Sequence, residues 1–221
     1  DVRSVVYGET GVICGMKPGA ILIDHTTTSA SLAKELFNEC KSKKVEFLDA
    51  PVSGGQAGAE NGKLTVMLGG AAHAYKNVVP LLECYSQKHQ LMGDAGAGQM
   101  TKMVNQICIA GVVQGLSEAL HFAIQGGLDT NAVVDVISKG AAQSWQMENR
   151  ASTMVNNEFD FGFAVDWMRK DLGIVLDEAK SNGASLPLTA MVDQFYSQVQ
   201  RNNGGRWDTS SLISLLQTHR K

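Results

Sequence analysis

Two stretches of the sequence carry residues whose types and spacing could do chemistry. The first is Asp49-Ala50-Pro51-Val52-Ser53-Gly54-Gly55, continuing through Gly58, Gly62 and Leu64 to Gly69-Gly70. An apolar run (Val45, Phe47, Leu48) ends there in an acid, a proline and a glycine-rich turn. Proline fixes φ and ends a regular ladder. Paired glycines let the backbone approach a ligand closely or take up φ > 0. Such a turn can aim several N–H groups at one anion, and Ser53 adds a hydroxyl beside them. Taken alone, a strand-ending bend with no ligand explains the turn equally well.

The second is Lys102, in the first turn of a long helical pattern. A helix N-terminus carries partial positive charge, so a lysine there is mildly disfavoured. The same field, in a dry surrounding, would lower its pKa and suit it to proton transfer. Asn105 and Gln106 follow three and four residues on and can share its face. A solvated surface lysine is the simpler reading, because lysine is seldom buried. Lys170-Asp171 opens another helix in the same way and by itself reads as an exposed charged turn. A hydroxyl-rich loop, His25-Thr26-Thr27-Thr28-Ser29, follows the apolar run Ala20–Ile23 and Asp24. In an open α/β sheet, ligands bind at such C-terminal strand edges. Capping of the next helix, marked by Leu32, Leu36 and Cys40, competes for the same hydroxyls.

The elements that must position these residues fall into two halves. Residues 1–15 read as the end of a helix stopped by Gly15. Strands are expected at 20–23, 45–48, 64–68 and 88–92, with helices between, which predicts an α/β layer. Gly93-Asp94-Ala95-Gly96-Ala97-Gly98 lacks the G-x-G-x-x-G spacing and reads as a hinge. From Gln99 to Gln125 one helix of about 40 Å is expected. Its middle, Ile107–Val113, is apolar on every side and predicts burial. Gly111 and Gly115 would let another helix come close. Further helices open at Asp129/Thr130, Trp145, Trp167, Ser185/Pro187 and Asp208. The fold class is therefore a partial Rossmann-type α/β domain over 1–95, followed by an all-α domain over 96–221 built on the long interdomain helix.

Composition bounds the partners. A formal net charge of −3 with 19% charged residues leaves no basic footprint for nucleic acid. No stretch approaches eighteen uninterrupted apolar residues, so a membrane span is not supported. Cys14, Cys40, Cys84 and Cys108 form no C-x-x-C pair, and the five histidines have no metal-ligand spacing. A reduced, cytoplasmic location without a metal site is expected. No signal-peptide core follows Asp1-Val2-Arg3, and a first residue that is not methionine suggests a fragment.

Four motifs in order then resemble the β-hydroxyacid dehydrogenase family, which includes 3-hydroxyisobutyrate dehydrogenase and tartronate semialdehyde reductase and is related to 6-phosphogluconate dehydrogenase. Asp49–Gly55 with Gly58-Ala59 and Gly62-Lys63-Leu64-Thr65 resembles its substrate-binding signature. Gly96-Ala97-Gly98-Gln99 with Lys102 and Asn105 resembles its catalytic helix. Lys170-Asp171-Leu172 resembles its late cofactor motif, and Asp24-His25-Thr26-Thr27 its strand-end loop. The resemblance implies NAD or NADP as cofactor and hydride transfer to or from a small carboxylate-bearing 3-hydroxyacid or semialdehyde. Lys102 would be the general acid/base. Ser53, Gly54 and Gly55 would hold the substrate carboxylate. Asn105 or Gln106 would supply the amide that the family places near the lysine. Phe163 and Asp171 would line the substrate site, and Thr27 and Lys170 would touch the cofactor. A homodimer or homotetramer through the helical domain would follow.

The family's G-x-G-x-x-G turn and first βαβ unit would lie before residue 1. The chain would then lack the N-terminal part of its dinucleotide domain, and with it the residue that separates NAD from NADP. A truncated, non-catalytic oligomerisation or binding module on the same scaffold is the competing expectation. An imine reductase shares the fold, and Lys102 argues against it.

Overall fold

The computed structural model describes residues 2–217. The chain forms two compact units, Asp1–Val104 and Asn105–Lys221.

The first unit opens with two short helices, α1 (Val2–Val6) and α2 (Val12–Gly15), where one helix end was expected. Gly8, at φ 93°, turns the chain between them. Then follow β1 (Ile21–Asp24), α3 (Ala30–Ser42), β2 (Glu46–Asp49), β3 (Val52–Ser53), α4 (Gly55–Glu60), β4 (Leu64–Gly70), α5 (Ala72–Leu82) and β5 (Ser86–Gly93). Ser29 caps α3 by accepting the Leu32 N–H. The sheet runs β1-β2-β4-β3, with β5 also paired to β4. β1 and β2 are parallel, with Asp24 opposite Asp49, so both strands end on the same edge. β4 is antiparallel to β2 and β3 and parallel to β5. A parallel return from β2 would need a full crossover, for which the six-residue α4 is too short.

Alternating side chains serve two apolar clusters. Phe47 joins Leu32, Leu36, Cys40 and Val45, while Leu48 joins Val66, Leu68, Ala74, Val78 and Leu82. β3 and α4 were not expected. They are built from the glycine-rich stretch itself, where propensity favours neither strand nor helix.

The helix α6 (Ala97–Gln125) has 29 residues and a length of about 43 Å. The division between the units falls within it, after Val104. The second unit continues with α7 (Thr130–Ile137), α8 (Trp145–Val155), α9 (Val165–Asn182) and α10 (Pro187–Arg201). A 3-10 turn (Thr209–Ile213) leads into α11 (Ser214–Gln217). The Asp129 carboxylate accepts the Asn131 and Ala132 N–H groups to start α7. Gly183, left-handed at φ 78°, ends α9, and Pro187 sits in the first turn of α10. One core joins Ala110, Val113, Met168, Leu172, Val192, Tyr196 and Leu212.

The expectation that the middle of α6 is buried all round does not hold. Ala110, Val113, Leu116 and Leu120 are buried, but Cys108 and Val112 are exposed, as is Phe122 further along. Gly111 faces α10, where an added Cβ would lie 3.2 Å from Leu188 Cδ2, whereas Gly115 meets nothing within 4 Å. Among the described residues α6 is the one helix whose length and composition would let it cross a membrane. It also carries buried Lys102, Gln106, Gln114 and Ser117, the pattern of a core helix.

Candidate active site

In the first unit the site grows from the shared edge of β1 and β2. Asp49 ends β2 with no exposed surface. Its Oδ1 accepts the Gly96 N–H at 2.7 Å and its Oδ2 the Gln99 N–H at 2.9 Å. The carboxylate therefore caps α6 from a neighbouring strand, a contact worth about 0.5–2 kcal/mol. Burial pushes its pKa above the usual carboxylate value, against the opposing pull of these N–H donors. Glycines make the approach possible. A Cβ at Gly69 would meet Asp49 Oδ1 at 2.5 Å, and one at Gly98 would meet Asp49 O and Oδ2 at 2.8 Å.

Lys102 lies in the second turn of this anchored helix and is buried, with 7% of its surface exposed. The solvated-lysine reading fails here. Thr27 is partly buried in the loop after β1. Gln99, also without exposed surface, accepts the Thr28 N–H at 2.9 Å and donates to the Thr26 carbonyl at 2.7 Å. Ser53 lies in β3, opposite Thr65. Gly54 and Gly55 are exposed, with φ of 129° and 60°. Two consecutive positive-φ residues are a conformation that L side chains resist, which accounts for the glycine pair. His25 Nδ1 donates to the Ala50 carbonyl at 2.6 Å, and the Tyr85 hydroxyl donates to Nε2 at 2.9 Å. The hydroxyl loop is thereby tied to the start of the glycine turn.

In the second unit the structure brings Asn105, Gln106, Lys170 and Asp171 into one chain of contacts. Asn105 Nδ2 donates to Gln106 Oε1 at 2.8 Å, and Gln106 Nε2 donates to Asp171 Oδ2 at 2.8 Å. Asp171 Oδ1 lies 3.0 Å from Lys170 Nζ; between adjacent residues this is an ion pair rather than a directed hydrogen bond. Asp171 is 2% exposed, and a buried carboxylate needs such partners. Lys170 itself is about half exposed. Both amides thus enter one network, with Gln106 as its middle link. Phe163 packs against the core of this unit, its ring 5.8 Å from that of Trp167.

Four residues were missed as parts of the site. Asp49 and Gln99 stood in recognised motifs without a role. His25 and Asp208 had no signal beyond loop and cap. Asp208 Oδ2 accepts the Phe163 N–H at 2.9 Å while Oδ1 accepts from Ser210, so the cap of the last turn also holds the Phe163 segment.

Comparison with known proteins adds the following. The family model described as NAD-binding of NADP-dependent 3-hydroxyisobutyrate dehydrogenase matches residues 96–216. The model of the NAD binding domain of 6-phosphogluconate dehydrogenase matches residues 1–93. An uncharacterized oxidoreductase of Shewanella frigidimarina is 62% identical over 220 residues, covering 100% of this chain and 76% of that protein. The 2-hydroxy-3-oxopropionate reductase of Escherichia coli is 33% identical, covering 98% of this chain and 74% of its own. The crystal structure of a 3-hydroxyisobutyrate dehydrogenase from Salmonella typhimurium superposes with a TM-score of 0.86 at 32% identity, covering 97% of this chain and 75% of that one. The expectation of a chain lacking the N-terminal part of its dinucleotide domain is corrected by these matches. The two family models together run from residue 1 to residue 216, and residues 1–93 match a dinucleotide-binding domain.

Proposed function

Because the chain belongs to the 3-hydroxyisobutyrate dehydrogenase family of NAD(P)-dependent oxidoreductases, we propose that it interconverts a small 3-hydroxyacid and its semialdehyde, of the 3-hydroxyisobutyrate or tartronate semialdehyde type, with Lys102 as general acid/base. The observation that carries this reading is the burial of Lys102 in a helix segment capped by Asp49. A lysine seldom leaves water unless it is paired or has a chemical task.

The residues present fit the cofactor. A loop of hydroxyls stands at the C-terminal edge of the parallel β1–β2 pair, where α/β sheets bind dinucleotides. Thr27 would hold it there, Lys170 would touch it by family resemblance alone, and when bound it supplies or takes the hydride. Lys102 Nζ gives a proton to the carbonyl oxygen during reduction and takes it from the hydroxyl during oxidation. The Ser53 hydroxyl and the backbone N–H groups of Gly54 and Gly55 hold the substrate carboxylate. By family resemblance Asn105, Gln106, Phe163 and Asp171 also bind substrate.

The test is oxidation of NADH and NADPH by the full-length protein with tartronate semialdehyde, and reduction of NAD and NADP with 3-hydroxyisobutyrate. Turnover with either substrate supports the reading, and none with these two or with other short 3-hydroxyacids and semialdehydes sinks it. The same reading includes a homodimer or homotetramer through the helical unit. It is supported by Phe122, which leaves 77% of its surface in water, and by Val112 on the same helix. Light scattering should return the mass of two or four chains; a monomer overturns the assembly.

A further inference from the structure

We propose that Gln99 is a positioning residue that locks the cofactor-binding loop and the helix bearing Lys102 into one register. The proposal rests on the functional reading above. The two polar ends of the Gln99 side chain each take a backbone group, one on either side of Thr27. Its Oε1 accepts the Thr28 N–H at 2.9 Å and its Nε2 donates to the Thr26 carbonyl at 2.7 Å. Its own backbone N–H donates to Asp49 Oδ2, so three segments meet at one residue: the end of β2, the loop after β1 and the first turn of α6.

The chemistry at this position admits few substitutes. An N–H can only donate and a carbonyl can only accept, so the side chain must offer one acceptor and one donor. Asparagine is a methylene shorter, methionine offers neither, and an ionised glutamate lacks the donor. The amide has no exposed surface, so water cannot take over either bond. Lys102 follows three residues on, over the same face of the helix. A loop of hydroxyl residues is otherwise drawn from the least stable part of a fold. A displacement of about 1 Å between reacting groups can cost about a hundredfold in rate.

Two variants of the full-length protein test this, with NAD and NADP binding read by calorimetry rather than by activity. In Gln99→Met the loop loses both tethers, and cofactor affinity should fall about tenfold. In Gln99→Glu the buried carboxylate repels the Thr26 carbonyl when ionised and regains a donor when protonated. Binding should therefore be weak near about pH 8 and return toward the wild-type value, measured at the same pH, near about pH 5.5, because burial raises a glutamate pKa into that range. A merely structural role would not give this recovery. If Gln99→Met does not fold, the pH dependence of Gln99→Glu decides alone. Affinities within about twofold of wild type at both pH values would overturn the proposal. Failure of the functional reading looks different: wild-type protein would bind neither cofactor.

Discussion

Replacing Lys102 with alanine or methionine should lower kcat by about 10²–10⁴-fold if it is the proposed acid/base, the usual contribution of such a group. Cofactor affinity should stay within about threefold, because an interaction made only as the proton moves would be the one lost. Methionine is the sharper variant. It keeps most of the buried stem and removes the ammonium, so a collapse of the site cannot be mistaken for lost chemistry. The measurement is steady-state turnover beside a cofactor titration. Unchanged turnover in a folded Lys102→Met protein refutes the assignment. The burial of Lys102 makes the experiment informative, since a surface lysine in the same turn would give near-neutral substitutions.

The largest effect on stability is expected at Gly98, in the first turn of α6. An alanine Cβ there would lie 2.5 Å from the Met67 carbonyl oxygen and 2.8 Å from both Asp49 O and Asp49 Oδ2. The first two are backbone atoms of buried strands, and the third is pinned by its bond to the Gln99 N–H. Nothing at this contact has a flexible end to move aside. Gly98→Ala should cost about 1–3 kcal/mol in urea unfolding, as overpacking does, and should also slow turnover by lifting α6 from its cap. Gly115→Ala is the control on the same helix. It meets nothing within 4 Å, and should be neutral or stabilising by up to about 1 kcal/mol. Equal costs at the two sites would mean that the close approach at Gly98 is not tight.

Strand and helix alternation, the long helix and its capping residues were legible because each leaves a local pattern. Val45, Phe47 and Leu48 mark a buried strand whatever lies next to them, and Asp129 before Thr130 caps a helix in any context. The antiparallel turn of β4 was not legible, because pairing is decided by neighbours distant in sequence. Nor was the burial of Lys102, since its type predicts exposure and only the surrounding fold overrides it. The glycine turn was recognised as special from composition, but β3 and α4 inside it were not, because glycine specifies permission rather than conformation. Gln99 shows the same limit. Its role exists only through Thr26 and Thr28, more than seventy residues earlier. The apolar middle of α6 misled in the opposite direction: its sequence predicts enclosure, while a single chain covers only one side.

The capping of α6 by Asp49 has a consequence for substitutions elsewhere in the chain. One compact unit contains the turn proposed to hold a carboxylate, the loop proposed to hold the cofactor and the proposed proton donor. Those elements are tied to one another by Asp49, Gln99 and His25, and none of these bonds draws on a residue beyond 104. Substitutions among the helices beyond 104 would therefore leave these particular bonds standing, whatever they change at Lys170 or Asp171.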